Sequence, residues 1–284
     1  MDEVTVRYMC AVDDLRGHGH GYVAPLASGG MSEPPGALLR EWRHRRNLSQ
    51  LELASRAGVS TRHVSFVENG RARPTPKMIL RLCDELAVPL REQNRLLLAG
   101  GFAPAHPEHR LSDPPMAEVA AAIDAILEAH LPYPALVIDP GWDLVAANDA
   151  VYAILGGVAP RLLEPPVNVI RLSLDPEGLA PLIRNLEEWR GHLLARLRHE
   201  YEASRDERIA ALLDEHGSAP VDLTRSPGLV VPLRLMVGDD ELRLLSTTTV
   251  FGTPREVTLS ELAIEAFYPA DAATRSRLTA RASG

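Results

Sequence analysis

The sequence predicts an α+β chain of two domains: an N-terminal bundle of five short helices built around a helix-turn-helix, and a C-terminal antiparallel sheet with helices on a face. Three observations predict it. Ser49 to Gly70 reads as two capped helices joined by a tight turn, the formal charge of -8 divides unevenly along the 284 residues, and strand-like runs begin at Ala135. The expected organisation is an extension over residues 1–30, a helical domain over 31–101, a Pro-rich linker over 102–115 and a second domain over 116–284.

The charge division separates two kinds of surface. From Met31 to Gly101 there are 12 Lys and Arg against 7 Asp and Glu, whereas from Phe102 onward there are 16 against 27. A basic reader is thus joined to an acidic body, and only the first suits a polyanion. Basic charge is nearly all Arg, Lys77 being the only lysine. A GC-rich genome explains that bias, so the placement of the arginines carries the information.

Residues 1–30 show no helical or strand period and are expected to be a disordered tail, with Met31 the expected native start; His18 and His20 read as incidental there. The first helix is expected over Gly36 to Arg46, with Leu38, Leu39 and Trp42 inward. Ser49 and Glu52 form a capping box that starts a helix from Gln50 to Ala57, and Gly58 ends it. Ser60 caps the next, Thr61 to Asn69, before Gly70. Leu51, Leu53, Ala54, Ala57, Val59, Val64 and Val67 are assigned to the shared core.

The outer face of that second helix carries Thr61, Arg62, His63, Ser65, Phe66 and Asn69, and the N-terminal residues of such a helix meet base edges in the major groove. Arg62 is the strongest reader, because a guanidinium bonding guanine O6 and N7 together gives about 1–3 kcal/mol of discrimination. Phe66 reads either as core or as a thymine contact. Arg71 and Arg73 flank a proline-containing turn where phosphate contacts are wanted. Thr75 and Pro76 then start a helix with Met78, Ile79, Leu82, Leu86 and Val88 inward. In the fifth helix, Leu90 to Ala99, Leu96, Leu97 and Leu98 offer more apolar surface than one small core needs.

The linker is expected to be semi-rigid at best, and its His106 and His109 read as linker residues rather than metal ligands. Asp113 and Pro114 open a helix with Met116, Val119, Ile123 and Leu127 on one face. Two paired strands follow between Ala135 and Ala147, and Asn148 is expected to cap a helix through Leu155. A long helix begins near Asn185 with Leu186, Trp189, Leu193, Leu197 and Tyr201 in a stripe. Ser204 and Glu207 read as another capping box. Strands are expected over Leu229 to Val237, Glu241 to Phe251 and Leu259 to Tyr268, the last also compatible with a helix capped by Thr258 and Glu261. Asp271 starts a final helix.

From SQLELA through GVS to VENG, the helix-turn-helix resembles that of the phage-repressor and xenobiotic-response-element (XRE) family of bacterial regulators. HVSFVENGRARP and PLREQNRLLLAGGFAP, followed by PYPALVIDPGWDLVAAN and PVNVIRLSLDPEGLAP, resemble the MmyB-like transcription regulators. The first resemblance implies a phage-repressor-like domain with Gln50 and Asn69 on phosphates, Thr61 and Arg62 in the groove, Phe66 at its edge, and a buried ion pair of Arg43 with Glu68. The second implies a PAS-like ligand-binding domain in a cytoplasmic regulator, with a fatty-acid-like ligand as the suggested example.

A sensor needs a cavity with apolar walls and a few polar groups. Leu136, Ile138, Trp142, Leu144, Tyr152, Trp189, Leu193 and Leu197 are candidate walls, and Asn168 and Arg171 are candidates to grip a carboxylate. Each also reads as core or as a structural pair. The expected partners are a double-stranded DNA operator, near-palindromic because the protein is expected to be a homodimer, and a small apolar or carboxylate ligand. No cofactor or metal is expected. Cys10 and Cys83 have no metal or disulfide spacing and fit a reducing cytosol, and no apolar run of about 18 residues is present to span a membrane. No GxSxG, P-loop, GxGxxG after a strand, HExxH or CxxC motif occurs, so an enzyme is not expected. Glu187, Glu188 and His192 read as a solvated helix face. Two alternatives stay open: a constitutive DNA-binding or antitoxin-like interaction protein without a ligand, and an enzyme domain tethered to a DNA-binding module.

Overall fold

The computed structural model describes residues 33–217 and 230–281. The expected extension, its His18 and His20, Cys10, the expected start at Met31 and the first residue of the run from Leu229 lie outside the described residues. The described residues form two compact units, one holding 33–109 together with 252–260, the other holding 110–217, 230–251 and 261–281.

In the first unit, α1 (Pro35–Arg45), α2 (Gln50–Arg56), α3 (Thr61–Glu68), α4 (Pro76–Glu85) and α5 (Leu90–Ala99) follow one another. Local sequence accounts for three of the starts. Both bonds of the Ser49–Glu52 capping box are made, Ser60 accepts from the His63 N–H, and Thr75 accepts from the Met78 N–H with Pro76 in the first turn. Gly58 and Gly70 take the left-handed φ values of 59° and 69° that end helices without a Cβ clash. Leu38, Leu39, Trp42, Leu53, Val64, Val67, Ile79, Leu82 and Leu96 share one core.

Leu51 departs from its assignment to that core. It is 66% exposed, because Leu53, Ala54 and Ala57 define the buried stripe of α2 and position 51 falls off it. The surplus apolar surface on α5 reduces to Leu98, since Leu96 and Leu97 are buried.

The linker differs from expectation over its first half. The Asn94 side chain on α5 accepts from the Ala105 and His106 N–H groups, both at 3.0 Å, and donates to the His106 carbonyl. The His106 ring bonds Gln93, and Arg91 pairs with Glu108. All but the last residue of the short helix Val257–Glu261 belongs to the same unit: Val257 N–H donates to the Pro107 carbonyl, His109 N–H to Glu256, and the Thr258 hydroxyl to the His109 carbonyl. Polar side chains distant in sequence therefore fasten a segment whose composition alone reads as a tether.

The second unit begins with a 3₁₀ turn, Pro114–Met116, then α6 (Ala117–Ala129), β1 (Ala135–Ile138), β2 (Leu144–Ala147), α7 (Asp149–Tyr152), α8 (Val169–Leu174), α9 (Leu186–Ser204) and α10 (Glu207–His216). It continues with β3 (Leu233–Val237), β4 (Asp240–Val250), β5 (Ala263–Pro269) after the short helix, and Ala272–Arg281. The five strands are ordered β2-β1-β5-β4-β3 with every pair antiparallel. Alternation along the strands makes two cores. Leu136, Ile138, Leu235 and Leu244 pack with α9 residues, while Val137, Val145, Ile264 and Ala266 pack with Ile123 and Leu127 of α6.

Several expected caps in this unit have other duties. Asn148 is buried and makes no capping bond; it accepts from the Ala135 N–H and donates to the carbonyls of Leu127 and Tyr133. Asp113 accepts from the Arg110 N–H instead of capping. Ser204 ends α9, Arg205 takes a left-handed conformation, and Asp206 is the actual N-cap of α10. The expected strand from Leu259 divides into a helical turn and β5; Glu256 accepts the Leu259 N–H, and the Thr258 hydroxyl donates to the His109 carbonyl. β3 starts at Leu233, after Pro232, which has no N–H to donate to a ladder.

Candidate nucleic-acid interface and candidate ligand cavity

The exposed face of α3 is organised by its own first turn. Ser60 Oγ accepts from the His63 N–H at 3.2 Å. Arg62 is exposed, and its guanidinium carbon lies 5.0 Å from the centre of the Phe66 ring. Phe66 is half-buried and serves as the platform for Arg62, a role between the two readings its sequence left open. Thr61, His63 and Ser65 are half-buried along the same helix. Asn69 is exposed, with its amide turned back onto the Ser65 carbonyl at 2.8 Å.

Behind this face, Arg43 and Glu68 form a bidentate pair, Nε to Oε1 at 2.7 Å and Nη2 to Oε2 at 2.9 Å, with side chains only 7% and 1% exposed. Arg43 Nη1 also donates to the Leu48 carbonyl. The pair fixes α1 to the end of α3. Burial pushes the Glu68 carboxyl upward, but bonds from Arg43 and Gln50 outweigh it and hold the group below its ordinary range.

Two residues expected on phosphates also make bonds within the protein. Gln50 Nε2 donates to Glu68 Oε2 at 2.8 Å, so its amide completes the buried pair. Arg73 donates to the Gly100 carbonyl at 3.1 Å and lies over Phe102, which ties it to the end of α5. Arg71 is exposed. Arg81, which the sequence did not single out, lies against the Gly58 turn: a Cβ at Gly58 would come 2.6 Å from its guanidinium. Only the tertiary packing of α4 brings it there.

In the second unit a cavity of about 100 Å³ lies between one face of the sheet and α7, α8 and α9. Leu136, Ile138, Trp142, Leu144, Trp189 and Leu193 line it; Tyr152 and Leu197 belong to the surrounding core and do not. Ser173, His192, Arg196, Ser246 and Glu265 supply its polar lining. Trp142 takes a left-handed φ of 65° in the turn between β1 and β2. The turn is held by Asp139 Oδ1, which accepts from the Gly141 and Asp143 N–H groups, and by Asn168 Nδ2, which donates to the Gly141 carbonyl at 2.8 Å.

Asn168 and Arg171 do not line the cavity, which corrects the expected carboxylate grip. Asn168 is the N-cap of α8, while Arg171 is exposed and pairs with Glu215 at 2.8 Å. The helix turns Val169, Ile170, Leu172 and Ser173 toward the hollow instead.

The model of the MmyB-like transcription regulator ligand binding domain matches residues 119–280, and a helix-turn-helix model matches 39–93. The chain belongs to the MmyB-like regulators. No curated protein matches it. Together the two matches make it a DNA-binding transcription regulator of the XRE type with a ligand-binding domain.

In this MmyB-like domain the polar lining is itself a bonded set. Arg196 Nη2 donates to Glu265 Oε1 at 2.6 Å, and Nε donates to Glu200 at 2.9 Å. Glu265 also accepts from Thr248 at 2.8 Å. Arg196 lies 4.4 Å from the Trp142 ring centre, and the Trp142 indole N–H donates to Glu200 at 2.7 Å. The Trp189 indole donates to Ser173. The His192 ring stacks on Trp189 with centroids 5.3 Å apart. Burial lowers the His192 pKa and the nearby Arg196 lowers it further, against an opposing pull from Glu265.

His192 is thus not part of a solvated face, although Glu187 and Glu188 are exposed as expected. Trp189, His192, Leu193 and Arg196 recur at three- and four-residue steps, a signal present in the sequence. Glu265, 69 residues beyond Arg196, had none. Among the described residues no group of three or more His, Cys, Asp or Glu suits a metal, and no helix is long and apolar enough to cross a membrane.

Proposed function

We propose that the protein is a sequence-specific regulator whose DNA affinity is set by a small hydrophobic molecule held in the second domain. Arg62 and Thr61 read base edges, with Ser60, His63, Ser65, Phe66 and Asn69 shaping the contact and Arg71 on a phosphate. Arg73, exposed and steadied by its bond to the Gly100 carbonyl, meets a second phosphate, and Gln50 acts from behind by completing the buried Arg43–Glu68 pair. Leu136, Ile138, Trp142, Leu144, Trp189 and Leu193 surround the ligand in a domain of the PAS-like class that the resemblance implies, and the apolar walls suit the chain of a fatty-acid-like molecule. The helical domain ends near His109. The protein works in the cytoplasm as a homodimer on a near-palindromic operator, since one small reader makes few base contacts.

The observation that carries this reading is the coexistence in one chain of a Ser60-capped helix end bearing the exposed Arg62 and an apolar cavity with a few polar groups. The ligand acts only through different affinity for two arrangements of the readers. The test is fluorescence anisotropy on an operator selected from random duplexes. Arg62→Ala is expected to cost about 1–3 kcal/mol and relax one operator position, whereas Arg71→Ala weakens every sequence alike and reduces the salt slope by about one. Equal loss on all sequences for Arg62→Ala rejects its assignment as a base reader.

A further inference from the structure

Two strands that border the cavity are joined by a segment that leaves their own unit. β4 and β5 contribute Ser246, Glu265 and Phe267 to the lining and pair in unbroken register up to Val250 and Ala263. Joining antiparallel neighbours takes only about 2–5 residues, yet residues 251–262 separate this pair, and 252–260 belong to the helical unit. The connection is longer than closing the sheet requires.

The surplus makes a fixed set of bonds to the linker. The Glu256 carboxylate accepts from the His109 N–H at 2.7 Å through one oxygen and from the Leu259 N–H at 2.6 Å through the other. The Thr258 hydroxyl donates to the His109 carbonyl at 2.6 Å, and the Val257 N–H to the Pro107 carbonyl at 2.9 Å, with both side chains buried. The linker is bonded in turn to α5, through Asn94 to the backbone of Ala105 and His106 and through Gln93 to the His106 ring. At the end of α5 the Gly100 carbonyl and the Phe102 ring hold Arg73. A Pro-rich tether alone passes on little of a movement at its far end, whereas a packed and hydrogen-bonded series can carry one.

Resting on the reading of the cavity as the sensor site, we propose that residues 252–260 are a transmission strap. Occupancy of the cavity displaces the adjoining ends of β4 and β5, the strap carries that displacement to residues 105–109, and the placement of α5 and Arg73 changes with it. The strap joins two binding events without taking part in either, so breaking its bonds removes the coupling and leaves each event intact.

The test measures the affinity of the full chain for the selected operator by fluorescence anisotropy, with and without saturating octanoate, and takes the ratio as the coupling. Leu193→Phe, whose ring extends into the hollow, is a second occupant that needs no ligand. In the unsubstituted strap either occupant is expected to change operator affinity about fivefold or more. Thr258→Val and Glu256→Gln, singly and together, are expected to bring that ratio toward one, to within about twofold in the double variant, with ligand-free operator affinity and octanoate affinity nearly unchanged. The single variants carry the test if the double variant does not fold. A ratio that persists in both single variants overturns the strap while leaving the cavity as the sensor site. So does a loss of ligand-free operator affinity or of octanoate affinity large enough to account for the change, since a merely structural contact would produce it. Operator affinity that responds to neither occupant in the unsubstituted strap overturns the sensor-site reading, and the strap with it.

Discussion

The two units use an Arg–Glu pair for opposite ends. Arg43 and Glu68 join residues 25 apart in sequence and are sealed by a closed core, so the pair locks the end of α3 and leaves its outer face free. Arg196 and Glu265 join residues 69 apart and sit at the wall of a hollow, where the pair shapes empty space. The same chemistry thus makes a rigid surface in one unit and a selective interior in the other. What differs is the surrounding packing: complete in the first, deliberately incomplete in the second.

The largest effect that sharpens this contrast is the loss of one partner. Glu68→Ala strands Arg43 in a closed core and is expected to cost the helical unit about 3–5 kcal/mol in urea unfolding followed by circular dichroism. Glu265→Ala leaves Arg196 with Glu200 and a neighbouring cavity, and is expected to cost about 1–3 kcal/mol. Equal losses at the two sites break the comparison. The acid limb carries the same signature. The Glu68 pKa is held below its unfolded value, so its stabilisation is complete above the ordinary carboxylate range and is lost as pH falls through the lowered folded value. Glu68→Gln is expected to flatten that limb of the helical unit's stability against pH.

The next effect differs in sign or nearly so. Leu53 is fully buried in a filled core, and Leu53→Phe is expected to destabilise by about 1–3 kcal/mol through overpacking. Leu193 lines the hollow, and Leu193→Phe is expected to be within about 0.5 kcal/mol of neutral in thermal unfolding, because the ring extends into the hollow and not into a filled core. A Leu193→Phe variant that loses as much stability as Leu53→Phe shows that the hollow is not available to side chains. Cys83 offers a further check on closure. Burial, assisted by Asp84, pushes its thiol up to about 12, so alkylation at that site followed by mass spectrometry is expected only after unfolding.

The units also differ in how much of them the sequence discloses. The α2–α3 pair was legible almost to the residue, because Ser49, Glu52, Gly58, Ser60 and Gly70 act within four positions of themselves. In the second unit, residues with the same local look act at long range. Asn148 reads as a cap and instead braces β1 against the end of α6. Asn185 precedes α9 without capping it and instead accepts from Arg234 N–H and donates to the Pro232 carbonyl at the edge of β3. The cavity walls on β1 and α9 were visible from periodicity, whereas Asn168 and Arg171 were drawn to the site by chemistry alone, with nothing local to show which way α8 faces. Glu265 was invisible for the same reason: its meaning depends on a partner one whole sheet crossing away.

The smallest expected effect tests that local code directly. Ser49 contributes a hydroxyl that accepts the Glu52 N–H at 3.1 Å, while its own N–H donates to the Glu52 carboxylate at 2.7 Å. That second bond runs through the backbone and is chiefly what holds the Glu52 pKa below its ordinary value. Ser49→Ala removes only the first half of the box, so its cost is expected near the low end of the range for a lost cap, about 0.5–1 kcal/mol. Ser49→Gly is expected to cost a few tenths of a kcal/mol. Asn148→Ala, which looks equivalent in sequence, leaves the Ala135 N–H and two carbonyls without their buried partner and is expected to cost about 1–3 kcal/mol. Parallel urea titrations of the three variants rank the positions, and if Ser49→Ala equals or exceeds Asn148→Ala, the distinction between a locally written unit and a tertiary one does not hold.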